Sequence, residues 1–299
     1  SGPTAVRIVA ERNPYYWKID PQGNQLPYID KVAWDIVQDT QMAVMKAVQG
    51  ELDMQGRHMS LADYTLLAEN AERGKYDVYL WNEGKAGTTL YINQNYQDDE
   101  TIVELLRNLD FRKALSLAIN RDEINQLVYL GMAAPCYAMF PYESLRDSSS
   151  IRMLYEYDPT EANRLLDNLG LDKRDKDGYR LLPDGKTLQL TLLVGLGYPM
   201  HPDVAELVKL YWEKVGIKTG LDIVAQDLWW TRVQASNYQV LPHYLEFCEG
   251  FLDWSYSSIS IVPCRALTYW APLWGLWYES LGKAGEKPTG DALKLQELF

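Results

Sequence analysis

The stretch "DFRKALSLAINRDEINQLVYLG", Asp110 to Gly131, reads as two helices in succession. Phe111, Ala114, Leu115, Ala118 and Ile119 fall at i, i+3, i+4, i+7 and i+8, which gives one apolar helical face. Asn120 and Glu123 have the spacing of a capping box and restart a helix carrying Ile124, Leu127 and Val128 toward Gly131. Two short amphipathic helices need something to bury against, so the flanking segments decide the class.

Those segments mix strands with helices. On the C-terminal side, "DPTEANRLLDNLG" has Asp158 to cap, Pro159 to start and Gly170 to stop a helix with a Leu165/Leu166/Leu169 stripe. Asp184-Gly185 separates "GYRLLP" from "KTLQLTLLV" as a hairpin turn would. A helix over 202–215 and the strand "IKTGLDIVA" follow, and strand, helix, strand in that order predicts a right-handed crossover and a parallel pair. On the N-terminal side, "KVAWDIV" alternates as a strand with Val32, Trp34 and Ile36 on one face. Asp39 caps a helix that runs to Gly50, a second helix lies near 61–72, and "YDVYLWN" and "TTLYINQN" read as strands. "APCYAMFPYESLRDSSSIRMLYEYDP" lacks periodicity and reads as an extended excursion. From Trp229 onward the chain holds six of its ten tryptophans, and helical or strand periodicity fades after Tyr244, so these apolar residues are expected on irregular backbone.

Bulk properties narrow the function. With 299 residues the chain can bury one large core or two ordinary ones, and no apolar run reaches bilayer length. A net charge of −12 disfavours nucleic acid and anionic lipid as partners. Three cysteines, Cys136, Cys248 and Cys264, rule out a fully paired intrachain framework; Cys248 and Cys264 are either a bridge in an oxidising compartment or two buried thiols. The opening "SGPTAVRIVAERNPYYW" shows no secretory signal and reads as an entry into the middle of a fold, so a fragment is expected.

Enzymatic signatures are sparse. His58, His201 and His243 are scattered without His-Glu-x-x-His or Cys-x-x-Cys spacing, so no metal site is expected, and no P-loop or dinucleotide fingerprint implies a cofactor. "GLGYPMHPD" lacks the third glycine of the dinucleotide pattern and reads as a strand-to-helix turn that can line a cleft. Glu246, Glu249 and Asp253 in "EFCEGFLDW" have three readings: solvated loop charges, hydrogen-bonding groups for a ligand, or an acid and nucleophile pair.

The tryptophans carry more. Trp17, Trp34 and Trp212 sit in strand or helix patterns and are expected in the core. Trp229, Trp230 and Trp254 lie at element ends, and Trp270, Trp274 and Trp277 lie among Pro and Gly, where backbone can present a ring to a cleft. An indole face suits the C–H face of a pyranose, and polar groups around it suit the hydroxyls.

Four phrases carry a resemblance. "ERNPYYWKIDPQGNQLPYIDKV", "KAVQGELDM", "DFRKALSLAINRDEI" and "YDPTEANRLLDNLGL" resemble, in order, segments of the substrate-binding proteins of bacterial ABC importers, in the large peptide-type family that also contains oligosaccharide binders. "WAPLWGLWYESLGKAGEKP" is similar to a branch with longer chains, some of which bind oligosaccharides.

The resemblance implies a two-lobed α/β, periplasmic-binding-protein-like (type II) fold of mixed sheets flanked by helices, truncated at both ends. It assigns residues 1–93 to part of lobe one and 94–299 to the second lobe. It implies a monomeric, non-enzymatic protein without cofactor, periplasmic or anchored outside the cytoplasm as a lipoprotein, that closes about a hinge on its ligand and meets ABC permease subunits in the membrane. Tyr91 and Asn93 become either hinge-side cleft wall or ordinary strand residues. In peptide-binding relatives an aspartate near Glu249 and Asp253 holds the ligand amine, but the local pattern departs here, so an oligosaccharide is expected ahead of an oligopeptide. A glycoside hydrolase using the 246–253 carboxylates is the alternative from another class.

Overall fold

The computed structural model describes residues 6–37, 39–57, 59–80, 85–133, 156–198, 200–246 and 261–299. The chain divides into two compact units, Ser1–Leu80 and Trp81–Phe299.

In the first unit, β1 (Arg7–Glu11) and β2 (Lys31–Asp35) form an antiparallel ribbon with Val9 opposite Ala33. Helix α1 (Thr40–Val48) begins where expected, its Asp39 carboxylate accepting from the Met42 N–H at 2.8 Å. It packs on α2 (Tyr64–Gly74) through Val44, Val48 and Leu67. Tyr76 and Val78 join that small core, but Tyr76–Leu80 pairs with no strand, so the strand read in "YDVYLWN" is not formed over its described residues. The placement of Trp17 and Trp34 in a core is also corrected: they are 78% and 52% exposed. Both strands of the ribbon are exposed along their whole length, because alternation selects a face but only a covering layer buries it.

The second unit is built on a four-stranded sheet in the order β3 (Lys85–Ile92), β6 (Val240–Glu246), β4 (Gln189–Gly195), β5 (Lys218–Val224). β3 runs antiparallel to β6, and β6, β4 and β5 run parallel. The hydrogen-bond partner of β3 is β6, which draws residues 85–92 into this unit.

One sheet face carries the main core. Helices α3 (Glu100–Arg107), α4 (Leu109–Leu117), α5 (Arg121–Val128) and α6 (Pro159–Asn168) contribute to it, as does α7 (His201–Lys214), the crossover between the parallel strands β4 and β5. Asn108 ends α3 and caps α4 by accepting from Asp110 and Phe111 N–H; Asn120 and Asp158 cap α5 and α6. Trp212 is fully buried, as expected, and its Nε1 donates to the Leu115 carbonyl, tying α7 to α4. The turn at Asp184-Gly185 forms, with Gly185 at φ +84° and Leu181 bridging Thr187.

Three further helices complete the unit: α8 (Gln226–Gln234), α9 (Pro272–Glu279) and α10 (Gly290–Leu298). Helix α9 corrects the expectation of irregular backbone around the last tryptophans, since Trp274 and Trp277 lie on it. Its Gly275 is required by a close approach: a Cβ there would run into the Arg265 backbone carbonyl. Gly275→Ala is accordingly expected to cost about 2 kcal/mol through forced displacement, read as a lowered urea midpoint with an unchanged slope.

Candidate functional site

Residues alternate between the two sheet faces. Leu190, Leu192, Val194, Leu90, Ile92 and Val240 face the main core, whereas Leu193, Tyr91 and Leu241 face the other side. That second face is covered by Trp229 and Val233 of α8 and by Tyr238, with Tyr198, Trp230, Tyr269 and Trp270 packed around them. His243, two residues beyond Leu241, shares the face.

The turn read in "GLGYPMHPD" carries Tyr198 and His201 from β4 into this group. The Tyr198 ring is its centre: it stacks on His201 at 4.9 Å and meets Trp229, His243 and Tyr244 edge-on at 5.4, 4.8 and 5.3 Å between centroids. His243 continues the group to Tyr269 at 4.8 Å, and Tyr269 to Tyr91 at 5.2 Å. Gly195 permits the packing, since a Cβ there would lie 3.0 Å from the Trp229 ring. The group sits where the parallel strand β4 ends, the usual place for a ligand in an α/β sheet. The β3–β6 register also shifts between Ala86 and Thr89, and bulges of this kind re-aim side chains next to sites.

The electrostatics are those of a neutral, polar surface. None of these side chains carries a charge. Burial holds the His201 imidazole at about 4, against an ordinary 6.5, with partial relief from the Gly87 backbone. Burial and then the neighbouring His201 hold His243 at about 3, so both rings are neutral at physiological pH. Nδ1 of His243 and Nε1 of Trp229 are buried without a hydrogen-bond partner among the described residues. Unpaired polar atoms at this depth are costly, and they have most to gain from a polar ligand.

The tryptophans expected at a ligand divide into groups. Trp229 is fully buried in α8 and supports Trp230, 4.8 Å away, rather than offering a face. Trp230 and Trp270 are partly buried at the edge of the group. Trp274 is buried against Trp270 and under the Arg107 guanidinium, and Trp277 packs apart, beneath Lys287. Tyr91 is buried and its hydroxyl donates to the Tyr244 carbonyl. Asn93 is fully buried in structural hydrogen bonds to the Ser236 and Tyr238 carbonyls. Trp254, Glu249 and Asp253, like Cys136 and Cys248, lie outside the described residues; Cys264 is buried. Sequence reasoning missed His201, His243 and Tyr198 as a group because 42 residues separate the two histidines and no motif spans them. Among the described residues, no group of three or more His, Cys, Asp or Glu side chains is placed to hold a metal ion, and no helix is long and apolar enough to cross a membrane.

Comparison with known proteins fits this architecture. A probable ABC transporter-binding protein of Deinococcus radiodurans is 27% identical over 283 residues, covering 87% of this chain and 45% of its own length. The periplasmic alpha-galactoside-binding protein of Rhizobium meliloti is 29% identical over 231 residues, covering 72% of this chain and 33% of its own. Among solved structures, an oligopeptide-binding protein OppA is 32% identical with a TM-score of 0.62, covering 100% of this chain and 49% of that one. The chain thus spans less than half the length of each of these relatives. The fold described above is similar to that of the OppA structure, and the family model for bacterial extracellular solute-binding proteins, family 5 Middle, matches residues 3–245. The chain belongs to the family 5 bacterial extracellular solute-binding proteins.

Proposed function

We propose that this chain is part of the solute-binding component of an ABC importer and that its solute is an oligosaccharide. The observation that carries the reading is the group of neutral rings around Tyr198, with the partly buried Trp230 and Trp270 at its edge. A peptide brings a charged amine and carboxylate, and among the described residues of this ring group no side chain carries a charge to meet them. A sugar brings apolar C–H faces for the rings and hydroxyls that both donate and accept. Covering one ring face of about 80 Å² contributes on the order of 2 kcal/mol, so two such contacts amount to about 4 kcal/mol, the equivalent of millimolar binding, and hydrogen bonds to the hydroxyls supply the rest. The alpha-galactoside-binding relative agrees with this choice.

The protein performs no chemistry in this reading. The ligand stabilises a closed state that permease subunits recognise, and the protein works as a monomer outside the cytoplasm. The second reading, an oligopeptide binder, is favoured by the similarity to OppA, and Glu249 or Asp253 would then hold the ligand amine.

Tryptophan fluorescence of the chain, titrated separately with raffinose, with β-linked oligosaccharides and with short mixed peptides, tests the choice. A saturable change with a saccharide alone is expected, and it should be lost in Trp230→Ala. A response to peptides alone overturns the saccharide reading.

A further inference from the structure

We infer that Asn95 is a positioning residue for the aromatic face, fixing Tyr269 and Trp270 through the helix that follows them; the inference rests on that face being where ligand binds. Helix α9 has Ala271 at its N-cap and no side-chain cap of its own. Its first N–H groups need an acceptor, and none is local. The Asn95 Oδ1 supplies it, accepting from Leu273 N at 3.1 Å and Trp274 N at 3.2 Å across more than 170 residues of chain. A helix that borrows its cap in this way takes its register from the lender.

The lender is itself fixed. Asn95 is fully buried, and its N–H donates to the Asn93 Oδ1 at 2.9 Å, while the Asn93 amide grips the Ser236 and Tyr238 carbonyls. Between them, the Gln94 N–H donates to the Trp270 carbonyl at 2.8 Å. Three consecutive residues at the exit of β3 thus hold the loop before β6, the backbone of Trp270 and the start of α9. Arg107 closes the arrangement: its Nε donates to the Gln94 carbonyl, its Nη2 pairs with Glu286, and its guanidinium lies over Trp274. The Asn95 Nδ2 also reaches Glu286, at 3.5 Å.

The consequence falls on two rings. Tyr269 and Trp270 immediately precede α9 and pack against the second sheet face, Tyr269 touching both Tyr91 and His243. Removing the borrowed cap frees the first turn of α9 and, with it, the backbone that sets these rings. Asn95 touches neither ring group nor ligand, so its effect on binding passes through position alone.

The test compares Asn95→Ala with Asn95→Asp/Glu286→Gln, which keeps an acceptor at the helix N-terminus and removes the repulsion an aspartate would meet at Glu286. Raffinose affinity by calorimetry and near-ultraviolet circular dichroism are read together. Asn95→Ala is expected to weaken raffinose about tenfold and to diminish the aromatic dichroism, and the double variant to restore both. A lowered melting temperature with affinity and aromatic dichroism unchanged would mean that Asn95 is only structural and overturns the inference. If the wild-type chain binds no raffinose, the saccharide reading fails, and the dichroism alone decides: a signal lost in Asn95→Ala and regained in the double variant upholds positioning, and an unchanged one ends it. Should Asn95→Ala not fold, Asn95→Gln, which moves the amide by one methylene, is expected to show the same paired loss.

Discussion

Lowering the pH from about 7.5 to about 5 is expected to remove on the order of 4 kcal/mol of the stability of this chain, with two buried histidines responsible for most of it. The sign follows from where the protons bind. In the unfolded chain both imidazoles titrate near 6.5, whereas in the fold they are held at about 4 and about 3. Between those values the unfolded state binds protons that the folded state refuses. The stabilisation is therefore complete above pH 6.5 and is lost as the pH falls toward 4, each ring contributing about 2 kcal/mol by pH 5. Among the described residues, the rings facing them are Tyr198, Tyr244, Tyr269 and Trp229. Urea unfolding of the chain at a series of pH values measures the loss, and His201→Gln/His243→Gln should be nearly flat over the same range. A double variant as steep as the wild-type chain would assign the acid sensitivity elsewhere.

Arg180→Met should destabilise the chain by about 4 kcal/mol, a large share of the 5–15 kcal/mol that holds a typical domain together. Arg180 is fully buried behind the main core. Its Nε donates to the Val215 carbonyl at 2.7 Å, Nη1 to Asp167 and to the Leu171 carbonyl at 2.6 Å, and Nη2 to the Asn163 Oδ1 at 2.7 Å. One guanidinium thereby joins the C-terminal ends of α6 and α7 to the segment before β4. Methionine fills much of the volume but leaves those acceptors without donors, which is the expensive way to break a buried network. Arg180→Lys is expected to recover less than half of the loss, because an ammonium cannot spread its donors as the fork does. Urea midpoints provide the measure; a loss below about 1 kcal/mol for Arg180→Met would show that water replaces the fork.

Much of this fold was legible in the sequence, and the reason is local chemistry. Asp39, Asn120 and Asp158 each cap the helix they precede, so caps and periodicity found α1, α5 and α6 together. The parallel pair β4–β5 followed from strand, helix, strand order. Helix α3 is equally legible, since Asp99 accepts from the Ile102 N–H. Elsewhere the deciding partner is remote. The start of α9 is capped from Asn95, so its own sequence carries no capping side chain, and Pro272 at its first position is a lone start signal that Gly275 follows within a turn. The strand pattern of Trp34 gives a face but not what covers it. In the candidate site, Tyr91, Trp230 and Trp270 were named in advance and do meet at the second sheet face, whereas the histidines at its centre have no spacing to announce them.

The antiparallel strand at the sheet edge has a consequence in time. Tyr91 of β3 lies opposite Leu241 of β6, about 150 residues later in the chain. During synthesis at roughly 5–20 residues per second, β3 emerges and waits on the order of ten seconds before its partner exists. The helices between them can settle by local contacts meanwhile, but the strand that carries Tyr91 stays an open edge, and the aromatic face is assembled last.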